Sequence, residues 1–265
     1  MQATPPATTP ARSTARRPHA RRALAAAAAA LALALGGCAL PRIDIGAAPS
    51  PAGGTAGGGT AGTAAGARQG DGGTSVAEFR QDVNDARGSV ERYWATAMPD
   101  QGRAFRPVAR FQAYRAAGEV TCAGEPLGRN NAAYCSAGDF IAYDEPWAAG
   151  QFRRIGDAFI FYLVGHEYAH AVQARLAISH RFTIQQELQA DCMAGAYISD
   201  SVSAGSLELQ DGDLDELRRG LLAVGDDSGQ QWFAPDAHGT AKERTDAFFD
   251  GFRSGLPSCN LRPAR

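Results

Sequence analysis

The chain has 265 residues, 45% of them hydrophobic and 20% charged, with a formal net charge of −2, which is enough for one or two domains with a buried core. The first 75 residues hold seven arginines and only two acids, so 26 acidic residues face 19 basic ones from Val76 onward. A folded part with a net charge of −7 lacks the basic face of a nucleic-acid binder, and no nucleic-acid partner is expected.

In chain order, residues 1–37 read as an export signal. Arg12, Arg16, Arg17, Arg21 and Arg22 form a basic region, and residues 23–35 form an alanine-rich apolar run. The run is shorter than the roughly 20 residues a membrane-spanning helix needs. Leu35-Gly36-Gly37-Cys38 follows at once as a lipobox. The expectation is cleavage before Cys38, lipid on that cysteine and attachment to a membrane. Cleavage nearby without lipid is the alternative. Residues 38–74, rich in Gly, Ala, Thr and Pro, have almost nothing to bury and read as a flexible linker. Residues 75–265 are the expected folded domain.

Ser75-Val76-Ala77-Glu78 has the pattern of a capping box, opening a helix that ends at Pro99. Residues 107–114 and 140–143 have strand character. Asp144 and Glu145, just before Pro146, read as turn residues. Four cysteines lie beyond Cys38, namely Cys122, Cys135, Cys192 and Cys259. An even number in an exported domain predicts two disulfides. Of three possible pairings, Cys122–Cys135 across a Gly- and Asn-rich loop with Cys192–Cys259 is favoured. Free buried thiols are the other reading.

A long helix is expected over residues 152–176. It carries Gly165-His166-Glu167-Tyr168-Ala169-His170. Four residues turn slightly past a full circle, so His166 and His170 project from one face and can share one zinc ion. Glu167 is then placed as general base toward water on that metal. A hydrolytic zinc site takes a third protein ligand, and Glu187, on a second helix capped by residues 183–186, is the best candidate. Asp191, one turn on, can accept the spare N–H of a ligand histidine. Tyr168 falls on the opposite side and reads as packing.

A third helix from Asp213 carries Leu214, Leu217, Leu221, Leu222 and Val224 as a core stripe, with Asp226-Asp227 as a turn behind it. Thr240 and Glu243 form another capping box, opening a helix with Phe248, Phe249 and Phe252 inward. His238 precedes that helix on a loop placed to hang over a cleft, where it could donate to an oxyanion or simply pack. His180 is expected to be exposed.

The blocks GHEYAHAVQ, ELQADCMAGAY, LLAVGDD and DAHGTAKERTDAFFDGFRSG, with a closing Cys259-Asn260, resemble in order those of the bacterial neutral zinc metallopeptidase family. Glu243 stands where the family more often has Gln, and Tyr168 where it more often has Val. The resemblance implies an α+β, mainly helical zincin-like metallopeptidase domain with a small β-sheet, in which residues 140–143 are the expected cleft-lining strand, along which an extended peptide can add itself. It also implies one Zn²⁺ held by His166, His170 and Glu187, with Asp191 orienting His166. The resulting expectation is an exported zinc peptidase acting on a peptide or protein substrate, with Glu167 and His238 as catalytic residues. A zinc-binding envelope lipoprotein with a scaffold or chaperone role is the alternative, and a metal-free structural lipoprotein is a further rival.

Overall fold

The computed structural model describes residues 75–262 except 228 and 235. The expected export signal, Cys38 and the expected linker lie outside the described residues. The domain is mainly helical with a small sheet. Helix α1 (Val76–Ala97) starts where Ser75 Oγ accepts from the Glu78 N–H at 3.1 Å, which is half of the expected box. A 3₁₀ turn at Pro99–Gln101 follows it. Phe79, Val83, Val90 and Trp94 are buried along one face of α1, the stripe their helical spacing predicts.

Strands β1 (Arg110–Tyr114), β4 (Ala132–Cys135) and β5 (Phe140–Asp144) form a sheet in the order β1-β5-β4. Strand β5 runs parallel to β1 and antiparallel to β4. Between β1 and β4, β2 (Thr121–Cys122) and β3 (Glu125–Pro126) make a two-residue ladder. The first strand therefore begins at Arg110 and not at residue 107. Cys122 and Cys135 are joined across this ladder, and Cys192 and Cys259 join the fourth helix to a 3₁₀ turn at Leu256–Cys259.

The expected single helix over residues 152–176 is two helices, α2 (Glu145–Ile155) and α3 (Ala158–Arg175). The break falls at Gly156, whose φ of 128° no L-side chain readily adopts. A Cβ there would also collide with the Glu216 carboxylate. Residues 158–169 of α3 are all buried, so this helix is sheathed on every side and shows no amphipathic stripe.

Helix α4 (Thr183–Ser203) crosses α6 (Ala241–Ser254) closely. A Cβ on Gly195 would strike the Phe248 backbone, and one on Gly251 the Cys192 backbone. The N-cap position of α4 is Phe182, one residue before the expected 183–186 segment, and the capping side chain comes from within that segment, Gln185 Oε1 accepting from the Phe182 N–H at 3.4 Å. Between them, α5 (Asp213–Val224) buries Leu217 and Leu221 but leaves Leu214 and Leu222 exposed, so the apolar stripe is narrower than expected. Phe248 and Phe249 are buried and Phe252 packs against the same core. No described helix is long and apolar enough to cross a membrane.

Candidate metal centre

Helix α3 brings His166 and His170 to one face, and α4 crosses it to present Glu187. His170 Nε2 stands 3.1 Å from His166 Nε2. Glu187 Oε2 is 3.2 Å from His166 Nε2, and Glu187 Oε1 is 3.3 Å from His170 Nε2. A tetrahedral ion with bonds of about 2.0–2.1 Å separates its ligand atoms by about 3.3 Å, so the three donors sit at the spacing zinc requires.

The outer ring nitrogens fix the tautomers. His166 Nδ1 lies 2.8 Å from Asp191 Oδ1, and a carboxylate only accepts, so Nδ1 carries the hydrogen. His170 Nδ1 lies 2.9 Å from Gln173 Oε1. The Gln173 amide nitrogen is committed elsewhere, donating to Gln186 O and Gln189 Oε1, both at 2.9 Å. Both Nε2 atoms therefore direct lone pairs inward beside a carboxylate. Three acceptors converging in a buried space form a cation site, and without a metal a proton on a ring nitrogen fills it. The electrostatics of the metal-free site follow from that proton. Against a large burial penalty, hydrogen bonds from His166 and His170 hold the Glu187 carboxyl well below its ordinary range. Burial opposes the His166 imidazolium too, yet Asp191 and Glu187 lift its pKa to about 10. Two imidazoles, one carboxylate and an outer carboxylate on one histidine are a fitting donor set for zinc.

Behind Asp191 lies a buried network. Arg244 donates from Nε to Asp191 Oδ2 at 2.8 Å and from an outer nitrogen to Oδ1 at 3.0 Å. The same guanidinium reaches Tyr162 Oη at 2.9 Å and Val224 O at 2.9 Å, and the Tyr162 hydroxyl donates to Asp191 Oδ1 at 2.8 Å. Burial works against the Asp191 carboxylate, but Arg244 and His166 keep its pKa lowered. Arg244 enters from the first turn of α6, which Thr240 and Glu243 fix as a reciprocal capping box. Glu243 thus serves the capping role that Gln would.

Glu167, next to the first histidine, accepts a hydrogen bond at 2.8 Å from the Tyr134 N–H of β4. Strand β4 is one of the two edge strands of this sheet, and Ala132, Ala133 and Tyr134 line a cleft of about 810 Å³ together with His166, Glu167 and Glu187. The cleft strand is therefore β4. Strand β5, residues 140–143 of the expectation, is central because β1 and β4 cover both its edges. Asp144 and Glu145 face away from the cleft. Asp144 accepts from Arg129 and the Asn130 N–H, and Glu145 is paired with Arg80 and Arg115.

His238 lines the rim of the cleft with its side chain 51% exposed. Its backbone N–H and that of Gly239 both donate to Asp226 Oδ2, at 2.7 and 2.9 Å, so Asp226 shapes the loop. Tyr168 is buried on the far side of α3, where its hydroxyl donates to Glu91. His180 is half-buried and not exposed, because its Nε2 bonds Gln189 Oε1 at 3.0 Å. Arg244, Tyr162, Gln173 and Tyr134 went unpredicted. Gln173, one helical turn beyond His170, and Tyr162, one turn before His166, were within reach of spacing arguments.

A family model described as "Putative neutral zinc metallopeptidase" matches residues 45–261. This chain belongs to that family. Among curated relatives, the uncharacterized protein YpfJ of Escherichia coli is 36% identical over 127 residues, covering 40% of this chain and 44% of the relative. The uncharacterized proteins Rv2575 of Mycobacterium tuberculosis and Mb2605 of Mycobacterium bovis are each 29% identical over 198 residues, covering 64% of this chain and 66% of theirs. The chain thus spans less than half the length of the E. coli relative and about two thirds of the mycobacterial ones. No solved structure matches.

Proposed function

We propose that this chain is an exported zinc-dependent peptidase. The observation that carries the reading is the convergence of His166, His170 and Glu187 on one point beside Glu167, on the floor of a cleft walled by an edge strand. Zinc, when bound, supplies a Lewis acid that polarises a scissile carbonyl and acidifies a water.

The chain's own residues do the rest. Glu167 Oε2 is held by the Tyr134 N–H, which leaves Oε1 as the atom that takes the proton of the attacking water. As the water oxygen bonds to the carbonyl carbon and the C–N bond breaks, that proton passes from Glu167 to the leaving amine. Asp191, held by Arg244, keeps His166 in its Nδ1–H tautomer. His238 at the rim donates to the carbonyl oxygen as negative charge develops there. The exposed edge of β4 pairs with an extended peptide and presents the bond to be cut.

The export signal and Cys38 place the domain, in this reading, on the outer side of a cell membrane, tethered by lipid through residues 38–74. Two disulfides fit an oxidising compartment. Loss of membrane retention in Cys38→Ala, measured by fractionation, tests the anchor.

For the enzyme, metal content decides first. The native chain should hold one zinc, lost in His166→Ala and in Glu187→Ala, while Glu167→Gln should keep zinc and lose peptide hydrolysis. A chain that takes no zinc after reloading would sink the peptidase reading. Zinc without hydrolysis of any peptide in a library would leave a zinc-binding envelope lipoprotein with a scaffold or chaperone role.

A further inference from the structure

The break between α2 and α3 holds a second group of convergent donors. Asp157, the residue before α3, Asp213 at the start of α5 and Glu216 one turn later each offer a carboxylate oxygen, and these lie within 4.8 Å of one another. Asp157 is only 3% exposed and Asp213 only 4%. The Asp157 Oδ2 atom is buried with no hydrogen-bond partner. On α1, Asp82 is 2% exposed, lies within electrostatic reach of Asp157 and also leaves a buried oxygen without a partner.

The nearby donors do not balance these charges. The Ala158 N–H reaches Glu216 Oε2 at 3.3 Å, and the Gln210 N–H reaches Asp213 Oδ2 at 2.7 Å. Arg219 comes within 3.8 Å of Glu216, but its side chain is 55% exposed and also donates to Ile155 O. Helix N-termini favour carboxylates, so one acid here would need no further partner. Three carboxylates pressed together, one with a bare buried oxygen, need either shared protons or a cation, because like charges out of water repel strongly and a buried unpaired acceptor is costly.

The backbone is shaped around this cluster. Gly156 adopts φ of 128°, and any side chain there would overlap the Glu216 carboxylate. The interruption of α2–α3 thus makes room for the acid. All the donors are oxygen, with no imidazole or thiolate, which selects a hard cation. The three oxygens lie within 4.8 Å of one another, no farther apart than two ligands of one Ca²⁺ with bonds of roughly 2.4 Å can be. Glu216 keeps 17% side-chain exposure, which leaves an entry path and room for water ligands.

We propose that Asp157, Asp213 and Glu216 form a calcium site that ties the start of the metal-centre helix to α5. The tie reaches the cleft from behind. The far end of α5, at Ala223 and Val224, lines the cleft, and Val224 O is held by Arg244.

The test uses the full chain, stripped on a chelating resin, reloaded with one equivalent of zinc and titrated with CaCl₂ at pH 7.5. Calorimetry should show one calcium per chain with a Kd of about 10⁻⁴ M. The melting midpoint should rise by about 5 °C at 10 mM calcium. The double variant Asp213→Asn, Glu216→Gln should lose both signals while still holding one zinc. Absence of calcium binding in the native chain would overturn the proposal and leave the cluster held by shared protons. A calcium response that survives in the double variant would overturn it equally. The titration is read with and without zinc loaded, so its outcome is independent of whether the chain is a peptidase.

Discussion

Two three-donor groups draw on helix α3, one at its N-terminal end through Asp157 and one toward its C-terminal end through His166 and His170, and the two differ in how their charge is balanced. At the C-terminal end, every outward atom of the donor set has a partner. His166 is held by Asp191, Asp191 by Arg244, and His170 by Gln173. At the N-terminal end, Asp157 has a bare oxygen and the nearest cation is a half-exposed arginine. The first group is braced by a shell of neighbours that orients nitrogen lone pairs, as a directional metal requires. The second is a loosely braced oxygen cage, which suffices for a cation with tolerant geometry. One helix can thus hold two sites of different rigidity, because the bracing comes from the elements packed on it.

Substitutions at the braced end should break this contrast most sharply. Glu167→Gln removes the proton carrier and no metal donor, so turnover should fall by about 10²–10⁴-fold with zinc content unchanged, as peptide hydrolysis and metal analysis would show. His166→Ala should release zinc yet leave calcium binding intact, which separates the two ends directly. Arg244→Met comes next. It keeps most of the volume but strands Asp191, which is 0% exposed. Breaking a buried ion pair from one side costs about 3–5 kcal/mol, and loss of an outer-sphere partner weakens metal binding by about 10–100-fold. Urea unfolding and competitive zinc titration would measure these. A variant with native stability would mean that Asp191 needs no counter-charge.

The legibility of the two ends in the sequence differs for the same physical reason. The His166–His170 spacing and the Glu187–Asp191 spacing are helical, so local periodicity projects each pair onto one face before any fold is known. Pairing those two faces needed only that two helices cross. Arg244 lies 53 residues from Asp191, and no local rule joins them; its neighbour Glu243 was visible as a cap, while nothing local marks the Arg244 side chain as buried. The break at Gly156 was hidden because Phe152 and Ile155 before the glycine and the apolar residues from Ala158 after it keep a helix-compatible spacing. The positive φ of Gly156 and the Glu216 carboxylate brought in by α5 explain why a glycine is needed there. The edge position of β4 was likewise out of reach, because strand order is set by which strands find partners and not by their composition. Ala132-Ala133-Tyr134-Cys135 also has weaker strand character than Phe140-Ile141-Ala142-Tyr143.

The acidic end should betray itself through pH. Burial, followed by the charge of Asp157, raises the Asp82 pKa to about 7, and burial with the charge of Asp213 raises Asp157 to about 6. Burial and the neighbouring acids raise Glu216 to about 7. Raised carboxyl pKa values mean the folded chain holds protons that the unfolded chain has released. Between about pH 4 and pH 7 the folded state therefore binds more protons, and its stability should fall as pH rises through that window. Calcium replaces those protons. Melts of the calcium-free chain should drop in midpoint from pH 5 to pH 7.5, and calcium should restore the midpoint at pH 7.5 while changing little at pH 5. An equal calcium response at both pH values would separate the cation from these carboxylates.

The smallest effect is expected at the rim. His238 is half-exposed, and its Nδ1 lies 3.5 Å from Asp226 Oδ1, too far for a firm hydrogen bond. Its loop is held by backbone donation to Asp226 and does not depend on the imidazole. His238→Ala should therefore leave the melting midpoint within the roughly 0.5 kcal/mol range of surface substitutions. A donor in an enclosed site is worth about 10²–10³-fold in turnover. Here water can reach the vacated position and donate in the ring's place, so a loss of about tenfold in kcat with KM little changed is expected. Turnover equal to native would reduce His238 to a packing residue of the loop. A loss as large as that of Glu167→Gln would mean the loop closes over the cleft and excludes water when substrate is bound.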